Sequence, residues 1–132
     1  MVTDATTAAR RWVEGWDRGW RATDPEPIAA LYAQEAVFLT HPFRGGATPR
    51  EYAVQAFADE TLVEGPLWAE PLVAGDRAAV EYWAILRART GEEVTISGVT
   101  VLRFAPSGLV VEHRDYWALE EGRFEPNWVR RT

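Results

Sequence analysis

Apolar residues recur at helical spacing in the first half of the chain and at strand spacing in the second. Trp12, Val13, Trp16 and Trp20 form one stripe of a first helix, which Gly15 and Gly19 weaken a little. Asp24-Pro25 is a helix start signal, and Ile28, Leu31 and Tyr32 give the short helix after it an apolar face. Ala36 to Thr40 reads as a short strand. His41-Pro42-Phe43-Arg44-Gly45-Gly46 cannot continue as regular structure. Thr48-Pro49-Arg50-Glu51 is a capping box with proline at the first helical position, and Tyr52, Ala53, Ala56 and Phe57 supply the buried side of that third helix.

The second half predicts an antiparallel meander. Its strands run Leu67 to Ala74, Ala78 to Arg89, Val94 to Ala105 and Leu109 to Ala118, with turns at Gly75-Asp76, Thr90-Gly91-Glu92 and Pro106-Ser107-Gly108. Helices first and strands later indicate an α+β domain covering 1–132, with no repeat and no long linker. The long strands are apolar on both faces, which predicts one face under the helices and the other against a partner chain. Phe124 and Trp128 are expected to anchor the tail on the body.

The last strand carries the chemistry. A strand sends alternate side chains to opposite faces, so His113, Asp115 and Trp117 share one face, and Glu112, Arg114 and Tyr116 share the other. An imidazole and a carboxylate beside an indole are costly in a plain core unless paired. That face reads more readily as the wall of a pocket. His113 and Asp115 should have Cα atoms roughly 6.5–7 Å apart, so a hydrogen bond between them requires converging side chains.

Composition removes several chemistries. Cysteine is absent, and all fourteen basic residues are arginine. Thiolate nucleophiles, zinc–thiolate sites, Schiff-base lysines and the P-loop lysine therefore fall away. Serine occurs only at Ser97 and Ser107, the latter in a turn, which disfavours a Ser-His-Asp hydrolase. A net charge of −6 argues against nucleic acid or an anionic membrane as partner. No apolar run is long enough to span a bilayer. The N-terminus, Met1-Val2-Thr3-Asp4, lacks the pattern of a secretory signal, so a soluble cytoplasmic protein is expected. The histidines, His41 and His113, remain as acid/base candidates together with the carboxylates. No His-x-His or Glu-x-x-His pairing supports a metal, and none is expected.

Two stretches carry a family resemblance: Leu31-Tyr32-Ala33-Gln34-Glu35-Ala36-Val37-Phe38, and Gly98-Val99-Thr100-Val101-Leu102-Arg103-Phe104 followed by Gly108-Leu109-Val110 and Arg114-Asp115-Tyr116-Trp117. In order and spacing the chain resembles the NTF2-like superfamily, within it the SnoaL-like and ketosteroid-isomerase-like proteins. The resemblance implies a curved sheet wrapped on helices as a cone with an apolar pocket. It also implies a homodimer through the outer sheet face. This fold hosts many reactions, so it does not specify one. Laid against ketosteroid isomerase, the catalytic aspartate before proline falls at His41, the protonated oxyanion aspartate at Thr100, and the helix-one tyrosine near Trp12. None is retained, so steroid isomerisation is not supported. Pocket positions fall at Glu81, Trp83, Ile85, His113, Asp115 and Trp117, and SnoaL-like cyclases use a late-strand pocket aspartate as acid/base.

These readings predict a cofactor-free enzyme acting on a small, largely apolar carbonyl or hydroxyl compound by isomerisation, cyclisation or dehydration. His41 or Asp115 would move the proton, with His113 and Glu81 as partners. Trp12, Trp16, Trp83, Ile85, Thr100 and Trp117 would contact the ligand. The competing readings are a buried ion-pair network with Glu81, Arg44 or Arg114, a non-catalytic hydrophobic-ligand binder, and a protein-interaction domain. The Asp-Arg-Asp arrangement of epoxide hydrolases is not evident.

Overall fold

A computed structural model describes residues 2–128. Asp4 caps the first helix, α1 (Ala5–Ala22), by accepting from the Thr7 backbone N–H at 2.7 Å. The helix buries Ala8, Ala9, Trp12, Gly15, Trp16 and Gly19, the stripe that the helical spacing predicts. Gly19 has a packing reason. A Cβ there would stand 2.8 Å from the Asp24 carbonyl oxygen and from Ile28, so its absence lets α2 (Glu26–Ala29) lie directly against α1. The third helix, α3 (Pro49–Asp59), starts at the expected capping box: Thr48 and Glu51 exchange hydrogen bonds of 3.2 and 2.9 Å.

Six strands follow one curved sheet: β1 (Tyr32–Leu39), β2 (Glu60–Trp68), β3 (Leu72–Ala74), β4 (Arg77–Ala88), β5 (Glu93–Phe104) and β6 (Val110–Glu121). Their order is β1-β6-β5-β4-β2, with β3 also on β4. The β1–β6 pair is parallel and the others are antiparallel. Helices packed on such a sheet make the α+β, NTF2-like cone.

Several strand boundaries differ from expectation: β2 opens at Glu60 rather than Leu67, and β6 runs on to Glu121 rather than stopping at Ala118. The segment Leu67 to Ala74 is not one strand, because Ala69-Glu70-Pro71 separates β2 from β3. Proline lacks the N–H a central ladder needs. Tyr32 opens β1 rather than closing α2, and the strand runs four residues longer on its N-terminal side than the Ala36 start predicts.

Register decides which residues share a face. Val80, Thr100 and Asp115 stand abreast, and so do Glu81, Val99 and Tyr116. The first row turns inward onto α1, where Trp12, Val80, Leu102 and Val110 are almost wholly buried. The second row forms the outer face. After β6 the chain folds back over one end of that face. Trp83 Nε1 donates to the Phe124 carbonyl at 2.8 Å, and the Phe124 N–H donates to Thr95 Oγ1 at 3.0 Å. The tail is thus held by the Phe124 backbone, while its ring is 53% exposed. At this end the protein's own tail covers the sheet.

Candidate functional site

The inner face of β6 presents His113 and Asp115, and both are buried, at 1% and 7% exposure. His113 stands between Phe38 of β1 and Leu102 of β5. Its ring packs on Phe38 at 4.5 Å between centroids and on Trp12 at 6.0 Å. Such an apolar setting makes its hydrogen bonds costly to lose.

Those bonds form one chain. The indole Nε1 groups of Trp12 and Trp16 donate to Tyr32 Oη at 3.0 and 2.9 Å. Tyr32 Oη lies 2.8 Å from His113 Nδ1, and His113 Nε2 lies 2.9 Å from Asp115 Oδ2. Indoles only donate, and a phenol has one proton. With its oxygen accepting twice, Tyr32 must give that proton to His113 Nδ1. The imidazole therefore carries its own proton on Nε2 and donates it to Asp115. Thr100 Oγ1 donates to the other carboxylate oxygen, Asp115 Oδ1. Burial, first, and then the nearby Asp115 charge raise the pKa of Tyr82, whose hydroxyl faces the same carboxylate. Burial likewise drives the Tyr32 phenol far above its ordinary value, so it stays protonated and serves as a donor.

Asp115, His113 and Thr100 border a hollow of about 70 Å³ that opens to solvent. Trp12, Trp16, Trp20 and Trp68 provide indole walls. Trp12 and Trp68 meet edge to face at 5.6 Å, which fixes the wall's shape.

The structure brings together Trp12, Trp16, Thr100, His113 and Asp115 and leaves the other candidates outside. His41 is half-buried in the turn after β1. Its Nδ1 accepts from the Phe43 N–H at 3.2 Å, and its ring packs on Trp117 at 5.5 Å. This corrects the expectation that both imidazoles face one hollow. Trp117 lies on the same strand face as Asp115, yet its indole donates to the Thr40 carbonyl at 2.6 Å beyond the hollow. Glu81, Trp83 and Ile85 are also corrected, because they sit on the outer face, where Glu81 is exposed. Alternation within β4 says which residues go together, not which set faces Asp115. Register with β5 settles that, and apolar residues on both faces of β4 hide it. Trp83 and Ile85 instead floor a second hollow under the tail.

Tyr32, Tyr52, Glu60 and Tyr82 are site residues that the sequence reading did not single out. Tyr82 was within reach of it, since placing Val80 beside Thr100 puts Tyr82 on the inner face. Among the described residues, no group of three or more His, Asp or Glu side chains is arranged to hold a metal ion. No helix among them is long and apolar enough to cross a membrane.

Known proteins agree with this architecture. No curated protein matches the chain. Among solved structures, a Mycobacterium tuberculosis LEH-like epoxide hydrolase is 17% identical with a TM-score of 0.66, over 85% of this chain and 84% of that one. The epoxide hydrolase/cyclase-like enzyme SalBIII, from pyran ring formation in polyether salinomycin, is 20% identical with a TM-score of 0.65, over 86% and 94%. A computationally designed 17-OHP binder is 23% identical with a TM-score of 0.66, over 87% and 98%. Likeness at these identities establishes the shared fold. The SnoaL-like domain family matches residues 9–113, from α1 through the buried histidine of β6. With most of its length so matched, and with the cone on which that family is built, this chain belongs to the SnoaL-like domain family.

Proposed function

We propose that this protein binds a small, largely apolar carbonyl or hydroxyl compound in the hollow and moves a proton on it, with Asp115 as the acid/base group and no cofactor. One observation carries the reading: a carboxylate at the wall of an indole-lined hollow, held by Thr100 and His113. A carboxylate has about four acceptor sites. Those two donors leave room for a substrate proton. Tyr32 and His113 are positioning residues. The Tyr32 hydroxyl fixes the imidazole tautomer, and the imidazole aims Asp115. Isomerisation, aldol-type cyclisation and dehydration all need such a group next to a carbon acid. The M. tuberculosis hydrolase, SalBIII and the designed binder support the same fold as a small-molecule scaffold.

The volume favours a second reading. About 70 Å³ is small beside the roughly 300 Å³ and more of ordinary ligand sites, which suits a compact ligand held without turnover. Deuterium uptake separates the two. In D₂O, the wild type should speed exchange of the α hydrogens of cyclopentanone or a related small ketone. Asp115→Asn should lower that rate by about 10²–10⁴-fold while remaining folded. Quenched tryptophan emission without exchange across a ketone panel would favour the binder. We also retain the homodimer as a proposal, through the part of the outer face that the tail leaves open around Tyr116, which is 45% exposed. A cytoplasmic location likewise stays an expectation.

A further inference from the structure

Asp115 is not the only carboxyl group at the hollow. Glu60, the first residue of β2, is half-buried and lines it together with Trp20, Tyr52 and Phe57. Its side chain makes no hydrogen bond or ion pair with any described residue. Its neighbour Asp59 accepts from Gln55 Nε2 at 2.9 and 3.0 Å and lies 3.8 Å from Arg89. Arg89 also donates to the Ala58 carbonyl at 3.1 Å, so this arginine is engaged elsewhere. Tyr52 lines the same hollow. Burial and then the charges of Asp115 and Glu60 together raise its phenol, which puts this hydroxyl within the field of both.

We propose that Glu60 is a second catalytic residue of this site, the general acid that works on a substrate oxygen while Asp115 works on carbon. This inference rests on the acid/base reading of Asp115 and adds the opposite partner, and it narrows the substrate to an enolisable carbonyl compound. The Asp115 carboxylate removes a proton from the carbon beside the carbonyl. The C–H electron pair becomes the enol C=C bond, and the carbonyl π pair moves to oxygen. That oxygen takes the Glu60 proton, giving a neutral enol, a protonated Asp115 and an ionised Glu60. In the return step the enol gives its proton to Glu60, and Asp115 delivers its proton to carbon, at the same position or at the conjugate one. No redox partner is needed.

The environments suit this division. Asp115 is supplied with donors by Thr100 and His113. Glu60 has none. Burial first, and then the like charge of Asp59, raise its carboxyl above the ordinary value, the direction a general acid needs. Asp59 is the charged group that acts on it, Arg89 lies 3.8 Å from Asp59, and Tyr52 and Asp115 line the same hollow. Burial, first, raises the phenols of Tyr52 and Tyr82 above their ordinary value, so neither is the proton source.

The test is the pH–rate profile of α-deuterium exchange into cyclopentanone, or the ketone that exchanges fastest in the panel. It uses the wild type, Glu60→Gln and Asp115→Asn. Glu60→Gln should lose about 10²-fold and its alkaline limb, because that limb is the ionisation of Glu60. A Glu60→Gln rate within twofold of wild type, with the alkaline limb intact, overturns the proposal and leaves Asp115 standing. A wild type inert on every ketone removes the Asp115 reading and this one with it. Infrared difference spectra provide a readout that needs no substrate. A protonated-carboxyl band should persist at pH values where solvated glutamate is ionised, survive in Asp115→Asn and vanish in Glu60→Gln. A band that vanishes in Asp115→Asn instead assigns the proton to the wrong carboxyl and also overturns the proposal.

Discussion

Replacing Tyr32 with phenylalanine removes one oxygen and leaves three groups without their partner. The indoles of Trp12 and Trp16 lose an acceptor, and His113 Nδ1 loses a donor. Trp12 and His113 are 2% and 1% exposed, so water does not readily replace the hydroxyl there. A buried polar group left unmade costs roughly 1–3 kcal/mol. Trp16 is more exposed, at 9%, and can find water more readily, so its share is smaller. Tyr32→Phe should therefore destabilise the fold by about 3 kcal/mol, the sum of two enclosed groups near the lower half of that range. For a domain of this size that is a fall of about 10 °C in Tm. Urea unfolding followed by tryptophan emission measures it directly. Tyr116→Phe is the control, since Tyr116 is 45% exposed and should change stability by less than about 0.5 kcal/mol. A Tyr32→Phe loss as small as the control's would refute the chain of donors and, with it, the assigned histidine tautomer.

Two further outcomes follow from the same geometry. At Gly98 an added Cβ would stand 2.7 Å from both the Tyr116 carbonyl oxygen and Trp117 Cβ. Gly98→Ala should thus cost about 1–3 kcal/mol in urea unfolding, because backbone cannot move aside as a side-chain end can. Glu60 gives a pH dependence. Its folded-state carboxyl is raised, so between the ordinary glutamate range and that raised value the folded state binds more protons than the unfolded one. Stability contributed by this group should fall as pH rises through that window, and Glu60→Gln should flatten the fall in Tm against pH.

Much of the cone is legible along the chain because its signals are local. A capping box fixes the start of α3, and the strict alternation of β6 puts His113 and Asp115 on one face without reference to any other strand. What stays hidden is set by partners distant in sequence. Glu81 and Tyr82 occupy an almost uniformly apolar strand, and only pairing with β5 shows that Tyr82 faces the hollow. Tyr32 follows Ile28 and Leu31 at helical spacing, yet its oxygen is the hinge of the buried network. Glu60 lies where α3 passes directly into β2 with no turn signal, so nothing local marks it as inward. His41 gained its candidacy from alignment to a family position, and the turn after β1 takes it away from the site.

The tryptophans themselves provide the decisive measurement. Trp12, Trp16, Trp20 and Trp68 line the hollow, while Trp83 and Trp117 donate to backbone carbonyls outside it. A ¹H–¹⁵N NMR titration with cyclopentanone reads each indole N–H separately. Binding beside Asp115 predicts saturable shifts of the first four and still signals for Trp83 and Trp117. Shifts confined to Trp83, or no saturable shift at any indole, would contradict a ligand site in the hollow.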